Sequence, residues 1–228
     1  MNAAALAPTI VPDLLARCLG YLPQMLDGAV TTLWISAVAV VFGFFGGVFL
    51  YLVETSGGRV VSRVARIYIS IVRGTPVLAQ LLVCYFIPSA LGLTWPGSIA
   101  AVIGLALNTA AYQSQILGAG FRAIPAGQIE AARTFNLTRS QTLWRIEVPQ
   151  VAALTSPALV SEVIDVVKAS AVVSVITVTD LTRVGQQLAS ATYRPLEVYS
   201  MAALGYLVIT SLVSAAGAVW ARRMARRT

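Results

Sequence analysis

Between Gly28 and Val53 the chain carries no charged residue. About 20 consecutive apolar residues cross the ~30 Å hydrocarbon core of a bilayer as an α-helix, so this run is long enough to span one. Gly43, Gly46 and Gly47 within it leave room for a neighbouring helix to approach closely. Four more apolar segments follow, and together they predict an all-α, polytopic membrane protein with five transmembrane helices over about 28–53, 76–93, 98–118, 151–176 and 200–221. The whole of 28–221 reads as one membrane domain, since no repeat of 20 to 50 residues and no low-complexity linker divides it.

The ends of the chain have a different character. Residues 1–27 hold Pro8, Pro12 and Pro23 around the amphipathic DLLARCLGYL, and read as an external N-terminal segment with a short surface helix. The first strongly apolar run begins only near Gly28 and is long enough to stay in the bilayer, so no cleavable signal is expected. Residues 222–228 form a basic tail.

Composition narrows the chemistry. Of 228 residues 57% are hydrophobic and 11% charged, and mean hydropathy is +0.79. Histidine is absent, and Cys18 and Cys84 are far apart, which removes metal, disulfide-framework and Cys/His nucleophile readings. The formal charge of +7 suits no nucleic-acid surface, because the basic residues sit at the ends of apolar runs. They set orientation instead. Arg59, Arg63, Arg66 and Arg73, then Arg122, Arg133, Arg139 and Arg145, then the four arginines of the tail lie on one side of the predicted topology. Only Arg17, Arg183 and Arg194 lie on the other. The positive-inside rule therefore places the 122–149 loop and the C-terminus in the cytoplasm and the N-terminus outside.

That loop contains the longest polar stretch, Glu130 to Gln150. Pro125 and Gly127 open a first short helix, and Asn136 can take the left-handed conformation that ends it. Thr138 and Gln141 have capping-box spacing for a second, with Pro149 as its expected end.

Two predicted spans are polar. The third contains Asn108, Tyr112, Gln113 and Gln115, which point one face at a pathway or at interhelical hydrogen bonds. The fourth is interrupted by Pro157, Glu162, Asp165 and Lys168. Asp165 and Lys168 are three apart and make the better ion pair, which leaves Glu162 without a partner in its own helix. Glu162 then faces either a substrate pathway or an arginine from another span or subunit.

Four strings carry a family resemblance: RGTPVLAQLL from Arg73, NTAAYQSQI from Asn108, Glu130-Ala131-Ala132 with Asn136, Ile146 and Pro149, and SEVIDVVKAS from Ser161. They resemble permease subunits of bacterial ABC importers of the polar amino-acid uptake family, whose EAA loop docks on a cytoplasmic ATPase. The chain departs from that pattern at Asn136, usually Gly, at Gln115, usually Glu, and at Ser161, where the family's Asn-Glu pair has Asn. The resemblance implies the type I importer permease fold with a cytoplasmic coupling helix, and ATPase coupling through Glu130, Ala131, Ala132 and Asn136. It also implies a substrate pathway including Glu162, Asn108, Tyr112 and Gln115, with Glu162 suited to a substrate's ammonium or guanidinium group. The implied partners are ABC ATPase subunits, an extracytoplasmic solute-binding protein, and a second permease copy or a similar permease, in the bacterial cytoplasmic membrane. The chain has no GxxxxGK[ST] phosphate loop, so it is expected to be no enzyme and to hold no cofactor; ATP and Mg would be bound by the ATPase.

Two other classes compete. A secondary transporter or channel would use Glu162, Asp165 and Lys168 as an ion relay, although five spans without a repeat are few for an inverted-repeat transporter. An intramembrane enzyme would use Glu162 and Asp165 as an acid pair, but no second carboxylate motif or nucleophile-base set accompanies them.

Overall fold

The first helix, α1, runs unbroken from Ala3 to Ser56 in the computed structural model, which describes residues 3–225. The expected separate segment over 1–27 is thus corrected; residues 1 and 2 lie outside the described residues. A proline removes one bond of the helical ladder, yet Leu14, Leu15, Leu19, Leu22 and Leu26 give this stretch an exposed apolar surface.

Among the described residues eight further α-helices follow: α2 Arg59–Gly74, α3 Val77–Ala90, α4 Gly97–Arg122, α5 Ala126–Thr134, α6 Arg139–Thr142, α7 Val148–Ala169, α8 Leu181–Thr192 and α9 Pro195–Ala225. A π-helical turn over Leu143–Glu147 joins α6 to α7, and a 3-10 helix over Ser170–Ile176 extends α7. Three expectations change here. The arginine-rich stretch before Pro76 is itself a helix, α2, which meets α3 at a bend of 111° across the Gly74-Thr75-Pro76 break. α3 alone has 14 residues, about 21 Å, short of a full crossing. The connection between Thr177 and Tyr199 contains α8. Pro149 does not end the second docking helix; it sits in the first turn of α7, just after the wide π turn where the ladder is already loosened.

α1 and α9 are each long and apolar enough to cross a membrane, and the bent α2–α3 pair adds a third candidate. α4 and α7, with 26 and 22 residues, have the length and carry their polarity inward. Thr109, Gln113 and Ser114 of α4 and Thr155, Ser156 and Glu162 of α7 are buried in the bundle. α4 lies against the glycine face of α1: a Cβ on Gly43 would come within 2.6 Å of Thr109 Cγ2, so only glycine permits this approach.

The core has two main parts. Ile35, Leu81, Leu105, Val166 and Ile176 join α1, α3, α4 and α7, while Met25, Leu181, Val184, Val198 and Ile209 join α1, α8 and α9. The second part is fastened by Asp180, which is fully buried and caps α8 by accepting from the amides of Arg183 (2.9 Å) and Thr182 (3.2 Å). Tyr206 of α9 donates to its Oδ2 at 3.2 Å, and Leu181 N donates to Thr32 Oγ1 of α1 at 3.2 Å.

Candidate functional site

Where α2 breaks into α3, the backbone leaves a cavity of about 340 Å³ between the break, α4 and α7. Thr75, Pro76 and Val77 form one wall, Leu105, Asn108 and Tyr112 a second, and Glu162, Asp165, Val166 and Ala169 the third. The size is that of a small-ligand pocket, and five of its ten lining residues are polar or charged. Proline fixes its own φ and has no amide to donate, so Thr75-Pro76 ends α2 and starts α3 while opening the space between them.

Glu162 is 9% exposed, and among the described residues no side chain hydrogen-bonds or ion-pairs with it. Asp165 is held by Lys168, Nζ to Oδ1 3.1 Å, as the i,i+3 spacing predicts. Both members of that pair are more than half exposed, so Lys168 answers Asp165 and leaves Glu162 as the unpaired carboxylate of the cavity. A buried carboxylate without a counter-charge is costly, and a cation entering the cavity would supply one.

The other pathway candidates divide. Asn108 and Tyr112 line the cavity with Glu162. Gln115 does not: about 4.5 Å further along α4 than Tyr112, its Nε2 donates to Glu54 Oε2 of α1 at 3.2 Å. Two residues escaped the sequence reading although both lie in the quoted RGTPVLAQLL string. Gln80 donates to the carbonyls of Val72 (2.7 Å) and Thr75 (3.1 Å) and accepts from Asn108 Nδ2 (3.1 Å), so it stitches the break to α4. The Arg73 guanidinium lies 5.4 Å over the Tyr112 ring, a cation–π contact beside the cavity.

The docking loop has the two-helix form its sequence predicts. At the end of α5, Leu137 N donates to Ala132 O (3.0 Å) and Asn136 N to Arg133 O (2.9 Å), a Schellman closure with Asn136 at φ 62°. The capping box of α6 is complete: Gln141 N donates to Thr138 Oγ1 (3.3 Å) and Thr138 N to Gln141 Oε1 (2.9 Å). Arg139 then ion-pairs with the buried Glu147, and Gln150 Nε2 donates to Gln128 Oε1 (2.6 Å), tying α5 and α6 to the start of α7. The loop and the Glu162 helix are therefore one braced unit.

Its outward face differs from the expected one. Glu130, Ala131 and Asn136 are exposed, but Ala132 is 3% exposed and packs inside this chain. The large exposed groups are Phe135 (81%) and Trp144 (66%), neither singled out from sequence. An apolar residue beside a polar helix end was the available signal.

Residues 39–227 match a family described as binding-protein-dependent transport system inner membrane component. The arginine transport system permease protein of Bacillus subtilis is 37% identical over 204 residues, 89% of this chain and 93% of that protein. The nopaline transport system permease protein of Agrobacterium fabrum is 36% identical over 203 residues, 84% of each chain. A crystal structure of an amino acid ABC transporter with histidines superposes with a TM-score of 0.85 at 37% identity, covering 90% of this chain and 96% of that one. An inward-facing methionine ABC transporter, at 22% identity and a TM-score of 0.74 over 89% of this chain and 97% of that one, shares the fold.

Proposed function

The chain belongs to the family of binding-protein-dependent transport system inner membrane components, and on that premise we propose that it moves a polar amino acid across the cytoplasmic membrane as the permease subunit of an ATP-driven importer. The observation that carries the substrate class is the unpaired Glu162 in the cavity shared with Asn108 and Tyr112. A carboxylate there favours a substrate bearing an ammonium or guanidinium group, and Arg73 beside Tyr112 offers a positive charge for a substrate carboxylate.

In this reading the ATPases bind ATP and Mg and take hold of the exposed face of α5 through Glu130, Ala131 and Phe135. Asn136 reverses the chain so that this face is presented. Closure of the ATPases moves the docking loop, and the Arg139–Glu147 and Gln128–Gln150 ties pass that movement to α7 and to Glu162. A second permease copy, or a similar permease, completes the pathway, and a solute-binding protein delivers substrate from outside. The N-terminus lies outside and the C-terminus in the cytoplasm.

The test is transport by the assembled complex of permease, ATPase and binding protein in sealed vesicles. ATP-dependent accumulation of labelled arginine, glutamine or histidine is expected. Uptake driven by an ion gradient with no ATPase present would overturn the proposal.

A further inference from the structure

The helix α2 carries two stripes whose purpose the transport cycle leaves open. Val60, Val64, Ile67 and Ile71 recur at spacings of four, three and four, and each is more than half exposed. One residue before each stands a polar group: Arg59, Arg63, Arg66 and Ser70. One residue along a helix is about 100° of rotation, so the two sets form adjacent stripes, apolar beside basic. The third face, Ala65, Ile69 and Val72, is the one buried against the bundle. α2 is thus anchored on one side and unpartnered on two.

We propose that these two faces meet lipid on the docking-loop side, the valine and isoleucine stripe lying against acyl chains while Arg59, Arg63 and Arg66, in the first half of the helix, hold the phosphates of anionic phospholipids. Three observations favour a lipid. α2 is about 24 Å long, too short to cross a bilayer, and turns through 111° relative to α3. Among the described residues Arg59, Arg63 and Arg66 are exposed and enter no ion pair, so their charge is free for an external anion. The helix begins beside the docking loop: Ser62 Oγ donates to Glu54 O (2.7 Å), Glu54 takes Gln115 of α4, and Tyr51 stacks on Phe121 one residue before α4 ends. The topology makes that side cytoplasmic, the leaflet whose anionic lipids attract basic segments. From there α2 rises along α4, with Ile69 and Val72 packed on Ala111, so its exposed aliphatic row faces acyl chains while the arginines stay toward the headgroups. A basic groove for a protein partner would not need the exposed aliphatic row.

The full chain, reconstituted in phosphatidylcholine, is probed with spin-labelled phosphatidylglycerol or spin-labelled phosphatidylcholine. The wild type should favour the anionic probe by about tenfold or more, since each arginine near the surface contributes on the order of 1 kcal/mol. The preference should shrink as salt rises. The triple variant Arg59→Gln, Arg63→Gln, Arg66→Gln should bring the ratio close to one with unchanged gel-filtration behaviour; a wild type without preference, or a triple variant that keeps it, overturns the proposal. Should the triple variant misassemble, Arg63→Gln alone must still lower the ratio. Independently, nitroxides on Val64→Cys and Ile67→Cys in a Cys18→Ser, Cys84→Ser background should be open to dissolved oxygen. If these positions are closed to oxygen and cross-link two copies of the chain, the face is a permease–permease interface and the lipid assignment fails.

Discussion

Replacing Glu162 by Gln separates a ligand from a structural charge, because the two roles give opposite signs for stability and uptake. The side chain is 9% exposed, and no described side chain pairs with it. A structural ion pair broken from one side leaves the other charge stranded and costs about 3–5 kcal/mol. Glu162 strands nothing when neutralised, and the substitution removes the expense of a buried, unpaired charge. Stability should therefore hold or rise. A substrate cation, by contrast, loses a charge-assisted hydrogen bond of about 1.5–3 kcal/mol, which is roughly ten- to a hundredfold in apparent affinity. The assay is uptake and substrate-stimulated ATP hydrolysis in reconstituted complexes, with thermal unfolding of the same preparations. A lowered melting temperature with an unchanged substrate profile would refute the ligand role and return Glu162 to a hidden structural pair.

The docking face yields further expectations. Phe135→Ala should weaken ATPase binding by about 2 kcal/mol, roughly thirtyfold, as for an exposed aromatic anchor, with the permease still folded; Ala132→Trp should instead reduce folded protein, because Ala132 is enclosed by its own chain. Titration of ATPase onto each variant in detergent separates the two. At Asn136, where φ is 62°, Ala should cost about 1 kcal/mol of turn stability while Gly stays near wild type, read as ATPase affinity and as ATP hydrolysed per substrate moved. For topology, in a Cys18→Ser, Cys84→Ser background, Tyr193→Cys should react with an impermeant maleimide added to intact cells and Phe135→Cys should not; the reverse pattern would invert the orientation.

What the sequence made legible was local. The capping box at Thr138 and Gln141, the left-handed Asn136, the Asp165–Lys168 pair and the glycine face of α1 all depend on residues within four positions or on a single helix face. What it concealed depends on the far side of the fold or on the solvent. α1 runs unbroken through Pro8, Pro12 and Pro23, which a local reading takes as helix breaks. Gln115 turns to Glu54, sixty-one residues away, and Asp180 is held by Tyr206 and by the neighbouring Leu181–Thr32 bond, so neither role has a sequence period. The inward turn of Ala132 follows from a small helix packing on its own chain, which a short amphipathic pattern does not report. The α2 stripe was visible as arginines, but its helical form required the break at Thr75-Pro76 to be read as a bend rather than a beginning.

Alternating access through the Glu162 cavity is the claim on which the account rests, and the sidedness of a cavity thiol measures it most directly. Asn108→Cys, placed in the cavity wall in a Cys18→Ser, Cys84→Ser background, is exposed to an impermeant thiol reagent on either side of oriented vesicles holding the full complex. Without nucleotide it should react only from the cytoplasmic side, and with ATP trapped on a hydrolysis-deficient ATPase only from the outside. Reaction from both sides in one state, or a sidedness that ATP leaves unchanged, would contradict the account.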